Sequence, residues 1–137
     1  MKIELPYGKR SLSFDLPDDN FLQILEKAKK KGLDNEKSAV VKTLRDPIGS
    51  HPLRDRVDEN DEVAIIIDDN TRPCPDDVLL PPILEELKEA GVEREKISIV
   101  VAYGLHPSLD EKGLSRLLGK NIVENYEVVN HESEDTI

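Results

Sequence analysis

Two stretches of the chain carry apolar runs that predict strands of a parallel sheet. The first spans Glu62–Asp68 and reads EVAIIID, and the second spans Ile97–Tyr103 and reads ISIVVAY. Continuous runs, unlike alternating ones, are typical of strands that are covered on both faces. A third strand is predicted over Tyr126–Asn130. We therefore expect parallel strands with apolar cover on each side.

Amphipathic segments separate these strands. The helix after the first strand is predicted to begin near Pro81–Pro82, because proline is tolerated in a first turn and not later, and to end at Gly91. The next helix has Ser108 or Asp110 as its N-cap and runs to Gly119. Strand–helix–strand–helix–strand order predicts an α/β fold, a layered parallel-type sheet with flanking helices.

The N-terminal part of the chain predicts a hairpin followed by two helices. Alternating apolar residues on either side of a turn at Pro6–Lys9 are typical of a β-hairpin. In Pro17–Leu33 apolar residues recur at i, i+3, i+4 and i+7, which predicts a helix with one apolar face. Asp34–Leu44 is a further helix candidate, and Ile48–Asn60 is expected to be a loop or a short helix.

Length and charge narrow the class of protein. The 137 residues are enough for one compact domain, so 1–137 is interpreted as a single α/β domain. The net charge of −10 disfavours nucleic acid and anionic membranes as partners, but not a small anion held by a local cation. The single cysteine, Cys74, cannot form an internal disulfide, and no signal-like stretch opens the chain, so we expect a cytoplasmic protein.

Polar residues follow the first two strands where each strand ends. Asp68–Arg72 comes after the first strand, and Gly104–His106 after the second. Ligands of open α/β sheets gather at the carboxyl ends of strands. If the two strands are parallel neighbours, His106 faces Arg72 and Asp69 across a shallow crevice.

Each residue of the first loop has a functional and a purely structural interpretation. Arg72 can hold a carboxylate or phosphate in a bidentate pair, or can form a salt bridge to Asp68 or Asp69 that only organises the loop. Asp69 can orient a ligand, or can bond to nearby backbone amides in an Asx turn. Thr71 can offer its hydroxyl and N–H to an anion, or can cap a turn.

His106 is the candidate for proton transfer, because imidazole titrates near neutral pH. The alternative is a loop histidine that covers the sheet edge. His51 is expected at the surface, and His131, beside acidic residues near the end of the third strand, is expected to be solvated. Cys74 is interpreted as a packing residue, and Asp76–Asp77 as charges at a helix start. The histidines and the cysteine show no zinc-type spacing, so no metal ligand is predicted.

Five motifs, in order, resemble the nickel-dependent lactate racemase family over nearly the whole chain. They are LPYGKR at the start, DPIGS at 46–50, DNTRPCP at 69–75, AYGLH at 102–106 and NYEVVNHE at 125–132. DNTRPCP is similar to the D-x-T-R-P-x-P signature of that family, with Asn70 where a histidine is often found, and AYGLH is similar to its A-x-G-x-H.

The resemblance implies an isomerase that inverts the α-carbon of 2-hydroxy acids such as lactate. Its cofactor would be the nickel-pincer nucleotide, which takes a hydride from the α-carbon and returns it to the other face. By motif position His106 would be one of two catalytic acid–base histidines. Arg72 would bind the substrate carboxylate, and Asp69, Asn70, Thr71 and Arg72 would contact the cofactor.

Members of that family are much longer than this chain. The resemblance therefore implies an N-terminal fragment of a two-domain protein, whose partner is the C-terminal part of the same chain. The second histidine, the lysine that carries the cofactor and the histidine that ligates nickel would lie in that part. The fragment alone would bind no cofactor and be inactive. The alternative is a non-catalytic α/β module that binds a small anion or a protein partner.

Overall fold

The computed structural model describes residues 1–133. Glu134, one of the acidic residues that follow His131 in the sequence, lies outside the described residues. The chain forms two compact units, Met1–Gly32 and a second that begins at Leu33. Each unit is described by itself, and the interpretation of 1–137 as a single domain stays a prediction.

The first unit contains the predicted β-hairpin. Strands β1 (Lys2–Tyr7) and β2 (Arg10–Asp15) pair antiparallel in the register Tyr7↔Arg10. Gly8 has a φ of 59°, a backbone conformation that glycine adopts without strain, and so it makes the two-residue turn possible. The hairpin and its turn are confirmed.

The predicted helix over Pro17–Leu33 is wrong. Only a single 3₁₀ turn, Asp18–Asn20, forms in this segment. The apolar face that suggested a helix is not buried, since Ile24 is 61% and Leu25 84% exposed. A helix of this length is marginal in water unless an apolar face packs against something, so the periodicity alone does not sustain it.

The second unit is built on a parallel three-stranded sheet of β3 (Val63–Asp68), β4 (Ile97–Ala102) and β5 (Glu127–His131), in the order β3-β4-β5. All three predicted strands are confirmed. The helices are α1 (Glu36–Arg45), α2 (Asp76–Glu89), α3 (Glu111–Leu118) and α4 (Lys120–Asn125), and 3₁₀ turns form at Leu53–Asp55 and Arg94–Lys96.

The strongest strand is covered on one face only, so the expectation of cover on both faces is wrong for β3. Ile67 is buried, whereas its neighbour Ile66 is 71% exposed. The buried core joins that face to the helices and consists mainly of Leu80, Leu84, Leu87, Ile97, Ile99, Val101, Leu114, Leu118 and Ile122. Two right-handed crossovers that add strands in the same direction put their helices on the same side, which leaves the other side open.

Helix α2 begins at Asp76, five residues before the predicted start. Its first turn is closed by bonds from the N–H groups of Val78 and Leu79 to the carbonyl of Pro75, and Asp76–Asp77 are its first-turn charges, as predicted. Pro81 and Pro82 therefore lie inside the helix. Pro81 is exposed, whereas Pro82 and its neighbour Leu80 are almost fully enclosed in the core, and this burial offsets the N–H groups that the two prolines lack.

The other helix ends follow the sequence. Asn35 caps α1 by accepting a hydrogen bond from the N–H of Ser38, 2.9 Å away. Of the two candidates for the cap of α3, the structure selects Asp110, which accepts from the N–H of Gly113 at 2.7 Å. Each such cap satisfies an N–H group that the helix itself leaves unbonded.

A buried carboxylate connects α1 to α2. The side chain of Glu86 is only 2% exposed and accepts hydrogen bonds from Arg45 Nε at 2.6 Å and from Arg54 Nη2 at 2.8 Å. Burial pushes the pKa of Glu86 upward, but the hydrogen bonds and charges of Arg45 and Arg54 outweigh it, so the pKa lies below its usual value. The carboxylate is therefore ionised while buried.

We expect Arg45 and Arg54 to stabilise the fold mainly by neutralising the buried carboxylate of Glu86. Replacing both by alanine leaves a buried carboxylate without a cation, so the free energy of unfolding should fall clearly. Urea denaturation at neutral pH measures it.

The matched comparison is Glu86→Leu, which leaves two arginines that are already partly exposed to water. It should cost clearly less than the double arginine substitution. An equal or larger cost for Glu86→Leu would mean that the ion pairs, and not the unpaired charge, set the stability.

Candidate active site

The register of the parallel strands brings the two polar loops to the same edge of the sheet. Asp68 of β3 lies opposite Ala102 of β4, and Ala102 lies opposite His131 of β5. The loops that follow, which carry Asp69 and His106, therefore leave the sheet side by side at its carboxyl edge.

Each loop opens with a tight turn. The N–H of Arg72 donates to the carbonyl of Asp69 at 3.1 Å, and the N–H of His106 donates to the carbonyl of Tyr103 at 3.0 Å. Gly104 has a φ of 60°, so the second turn relies on a glycine. Both turns fold the chain back over the strand ends, which brings the side chains of the two loops together.

Asp69 is the centre of the cluster. It is only 4% exposed. Its Oδ1 accepts from the hydroxyl of Thr71 at 2.6 Å and from the N–H of Thr71 at 3.1 Å, and its Oδ2 lies 2.5 Å from Nδ1 of His106. The Asx-type bond considered for Asp69 is present, and the same carboxylate also holds the imidazole.

These bonds determine the charge of Asp69. The hydrogen bond from the Thr71 hydroxyl, followed by the one from His106, holds the pKa of Asp69 below its usual value, although burial acts in the opposite direction. An ionised carboxylate has no hydrogen to donate, so Nδ1 of His106 must carry the proton of the bond between them. In the neutral imidazole the lone pair is then on Nε2.

The loop that carries His106 is braced from beneath by Tyr103, which is buried. The Tyr103 hydroxyl donates to Asn130 Oδ1 at 2.9 Å and accepts from the N–H of Leu109 at 3.1 Å. Asn130 in turn donates to the carbonyl of Leu109 at 3.0 Å. This network fixes both ends of the segment on which His106 sits, and the sequence alone did not reveal it.

Arg72 is exposed and makes no ion pair with any part of the chain that the structure describes. The salt bridge to Asp68 or Asp69 that competed as its explanation is absent, because Asp69 is occupied by Thr71 and His106. Asn70 is likewise exposed. A guanidinium and an amide therefore remain available to an anion beside the Asp69–His106 pair.

A second histidine shares the edge. His131 and His106 line the same depression of about 430 Å³, together with Ser108 and Ser133. The sequence interpretation of His131 as solvated agrees with its exposure. If the pairing of β4 with β5 had been known, the position of His131 beside the loop of His106 would have been predictable. The sequence alone does not show which strands are neighbours.

The remaining candidates lie elsewhere. His51 is exposed in the loop after α1, as expected, and Cys74 is partly buried. Within residues 1–133 no three His, Cys, Asp or Glu side chains are grouped to hold a metal ion. Among residues 1–133, none of the helices has both the length and the apolar composition of a membrane span.

Because Thr71 is the main cause of the low pKa of Asp69, Thr71→Val should move that pKa back toward 3.8. A lowered native pKa contributes stability that is fully present above the unfolded-state value and is lost as the pH falls through the native value. The variant should therefore be less stable than the parent at pH 7, and the difference should vanish in acid. Carboxyl ¹³C shifts and denaturation at several pH values measure both effects.

Thr43→Val is the matched control. The Thr43 hydroxyl donates to the carbonyl of Ala39 within helix α1, which does not include Asp69. It should leave the titration of Asp69 unchanged. An unchanged Asp69 titration in Thr71→Val would show that the Thr71 hydroxyl does not hold the carboxylate.

Comparison with known proteins connects this geometry to one enzyme family. The family model described as the lactate racemase N-terminal domain matches residues 7–137. The lactate racemase of Thermoanaerobacterium thermosaccharolyticum is 34% identical over 98% of this chain, and that of Lactiplantibacillus plantarum is 33% identical over 97%. The chain spans about a third of the length of each, 32%.

Solved structures agree on the fold. The lactate racemase apoprotein of T. thermosaccharolyticum superposes with a TM-score of 0.78 at 32% identity, over 98% of this chain and 31% of that one. A Thermotoga maritima protein of 19% identity superposes with a TM-score of 0.51 over 73% of this chain and 21% of its own, which bears on the fold alone. Since the family model spans nearly the whole chain, the chain belongs to the lactate racemase N-terminal domain family.

Proposed function

We propose that this chain is the N-terminal part of a racemase or epimerase of lactate-like 2-hydroxy acids, which uses a nickel-pincer nucleotide and proceeds by hydride and proton transfer. The observation that carries the proposal is the Asp69–His106 pair at the carboxyl edge of the sheet, with Arg72 unpaired beside it. Family membership supports the reaction class, and the residues of the site support their roles within it.

His106 acts on the substrate hydroxyl. With Nδ1–H held by Asp69, Nε2 would accept the hydroxyl proton while the hydride of the α-carbon passes to the bound cofactor, which leaves a 2-keto acid as the intermediate. The product would be the 2-hydroxy acid of inverted configuration, formed when the proton and the hydride return. The imidazolium formed is stabilised by the ionised Asp69. The imidazole is 49% exposed, so it can be reached from outside the fold.

Arg72 binds the substrate carboxylate. Its guanidinium offers parallel N–H donors that match the two oxygens of a carboxylate, and no internal acid competes for it within the described range. In a chain of net charge −10, such a local cation is required to hold an anionic substrate.

The residues present fit the organic part of the cofactor and not its metal. The exposed side chains of Asn70 and Arg72 can donate to an anionic mononucleotide, and Thr71, whose hydroxyl and N–H both bond to Asp69, would position the loop that contacts it. Residues 1–133 provide no group of metal ligands. When bound, the nickel-pincer nucleotide supplies the centre that takes the hydride and returns it. The second acid–base histidine, the lysine that carries the cofactor and the nickel ligand are proposed to come from the C-terminal part of a longer polypeptide, without which the chain is inactive.

His106→Gln tests proton transfer. The protein to use is a chimera in which residues 1–137 replace the matched third of the T. thermosaccharolyticum lactate racemase. We expect turnover to fall about 10²–10⁴-fold, as when a general acid–base group is lost, with little change in KM. Lactate racemisation measured by polarimetry gives both constants.

His51→Gln is the matched control for His106→Gln, because His51 is an exposed loop histidine outside the cluster. It should leave turnover unchanged. Turnover retained in His106→Gln would remove His106 from the reaction.

Arg72→Ala tests the anion role. In the same chimera KM for lactate should rise roughly 10–100-fold, equivalent to the loss of a charge-assisted hydrogen bond of about 1.5–3 kcal/mol. Nickel content, measured by mass spectrometry, separates a substrate effect from failure to hold the cofactor. An unchanged KM with normal nickel content would assign the substrate carboxylate to another residue.

A second candidate function, a non-catalytic small-anion module, is favoured by one observation, the exposed Arg72 without an ion pair in the described part of the chain. It predicts that the 137-residue chain binds lactate by itself and loses binding on Arg72→Ala. In the racemase proposal Arg72 binds the carboxylate only in a site completed by the cofactor and the C-terminal part, so it predicts no such binding by the chain alone. Calorimetric titration of the chain with lactate distinguishes the two.

A further inference from the structure

The outer edge of β3 is unpaired in the described residues and has the composition of a strand that pairs on both sides. In the order β3-β4-β5, β3 pairs only with β4 among the described residues. Its sequence from Val63 to Ile67 is continuously apolar, with no proline or lysine of the kind that protects natural edge strands. An edge of this type pairs with another strand or aggregates.

The exposed face of the sheet also indicates that a further element packs beside β3. Ile66 and Val129 are exposed on the side opposite the helices. In doubly wound sheets the second half adds its strands beside the first strand of the first half, and its helices cover the other face. Here that first strand is β3, so its free edge and the exposed face would be completed by one addition.

A groove runs along this edge. It measures about 270 Å³ and is lined by apolar side chains of β3 and α2, among them Ile65, Ile66, Leu79 and Ile83. Asp68, Cys74 and Asp76 line it as well. The groove is therefore apolar along its length and acidic at the end nearest the candidate active site.

Asp76 is the second, independent sign of an occupant. It is 4% exposed, and its Oδ2 is buried without a hydrogen-bond partner in the part of the chain that the structure describes. Burial raises the pKa of Asp76, and this outweighs the neighbouring Cys74 thiol, which lowers that pKa; the Asp68 carboxylate raises it further. Buried polar atoms are nearly always bonded, so a donor from outside these residues would complete the site.

We propose that the β3 edge binds a further parallel β-strand that carries a lysine or arginine side chain to Asp76, and that the helix attached to that strand covers Ile66 and Val129. The strand comes from the two-thirds of the lactate racemase polypeptide that this chain does not match. A second copy of the chain is disfavoured as the occupant, because it also carries a net charge of −10 and would oppose acid with acid. The proposal rests on family membership and not on catalysis.

Thiol labelling tests the docking surface. In a Cys74→Ser background, Ile66→Cys reports on the exposed face, and Ile48→Cys, in a fully exposed loop position of the same unit, is the control. In the 137-residue chain both thiols should react with a maleimide at similar rates. In the chimera, Ile66→Cys should react at least 100-fold more slowly than Ile48→Cys.

Two results would overturn the docking surface. One is equal labelling of both thiols in the chimera. The other is protection of Ile66→Cys in the 137-residue chain that increases with concentration, which would assign the face to a second copy. If the chimera does not fold, the corresponding cysteines in the T. thermosaccharolyticum enzyme itself give the same measurement. Because labelling needs no turnover, an inactive chimera with a protected Ile66→Cys would count against the proposed function and not against this surface.

Asp76→Asn tests the cation. In the 137-residue chain it removes a buried carboxyl with an unbonded oxygen, so Tm should stay the same or rise. In the chimera it removes the partner of a lysine or arginine, so Tm should fall by several degrees. A change of the same sign in both proteins would overturn the pairing at Asp76.

Discussion

The candidate site depends on the hydrogen-bonded register between β3 and β4, in which Asp68 lies opposite Ala102. That register sets the level at which each strand ends, and so it decides that the loops with Asp69 and His106 meet. Side chains alternate along a strand, so a slip of one residue would turn the apolar side chains of β3 from the core to solvent. Burial of Ile67 and Val101 therefore holds the catalytic candidates in place as firmly as it holds the sheet.

The sequence predicted the strands of the second unit well, because continuous β-branched runs have few other uses in a chain of this size. It was misleading where cover had to come from elsewhere. The segment Pro17–Leu33 has helical periodicity and β3 has the composition of a doubly covered strand, yet Leu25 and Ile66 are exposed. An apolar pattern shows that a surface is suited to burial. It does not show whether the covering surface lies within the same 137 residues.

The site was predictable to the level of the loops and not to the level of the bonds. Two adjacent carboxylates, Asp68 and Asp69, were equal candidates to pair with Arg72. Continuing the alternation of β3 past buried Ile67 puts Asp68 outside and Asp69 inside, where Asp69 holds Thr71 and His106. That choice leaves Arg72 unpaired within the described residues. Because the buried acid is Asp69 and it bonds to Thr71 and His106, Arg72 forms no salt bridge with it and is available to an anion.

The buried Glu86 and its two arginines restrict the order in which substitutions can accumulate in this unit during evolution. Breaking a buried charge cluster one member at a time is costly, whereas replacing the whole cluster by well-packed apolar residues is often neutral or favourable. Substitutions at Arg45 and Arg54 alone therefore pass through less stable forms, and loss of the carboxylate has to come first. The charged contact between α1 and α2 is therefore preserved because the first substitutions at the arginines are destabilising, even if a fully apolar contact would be equally stable.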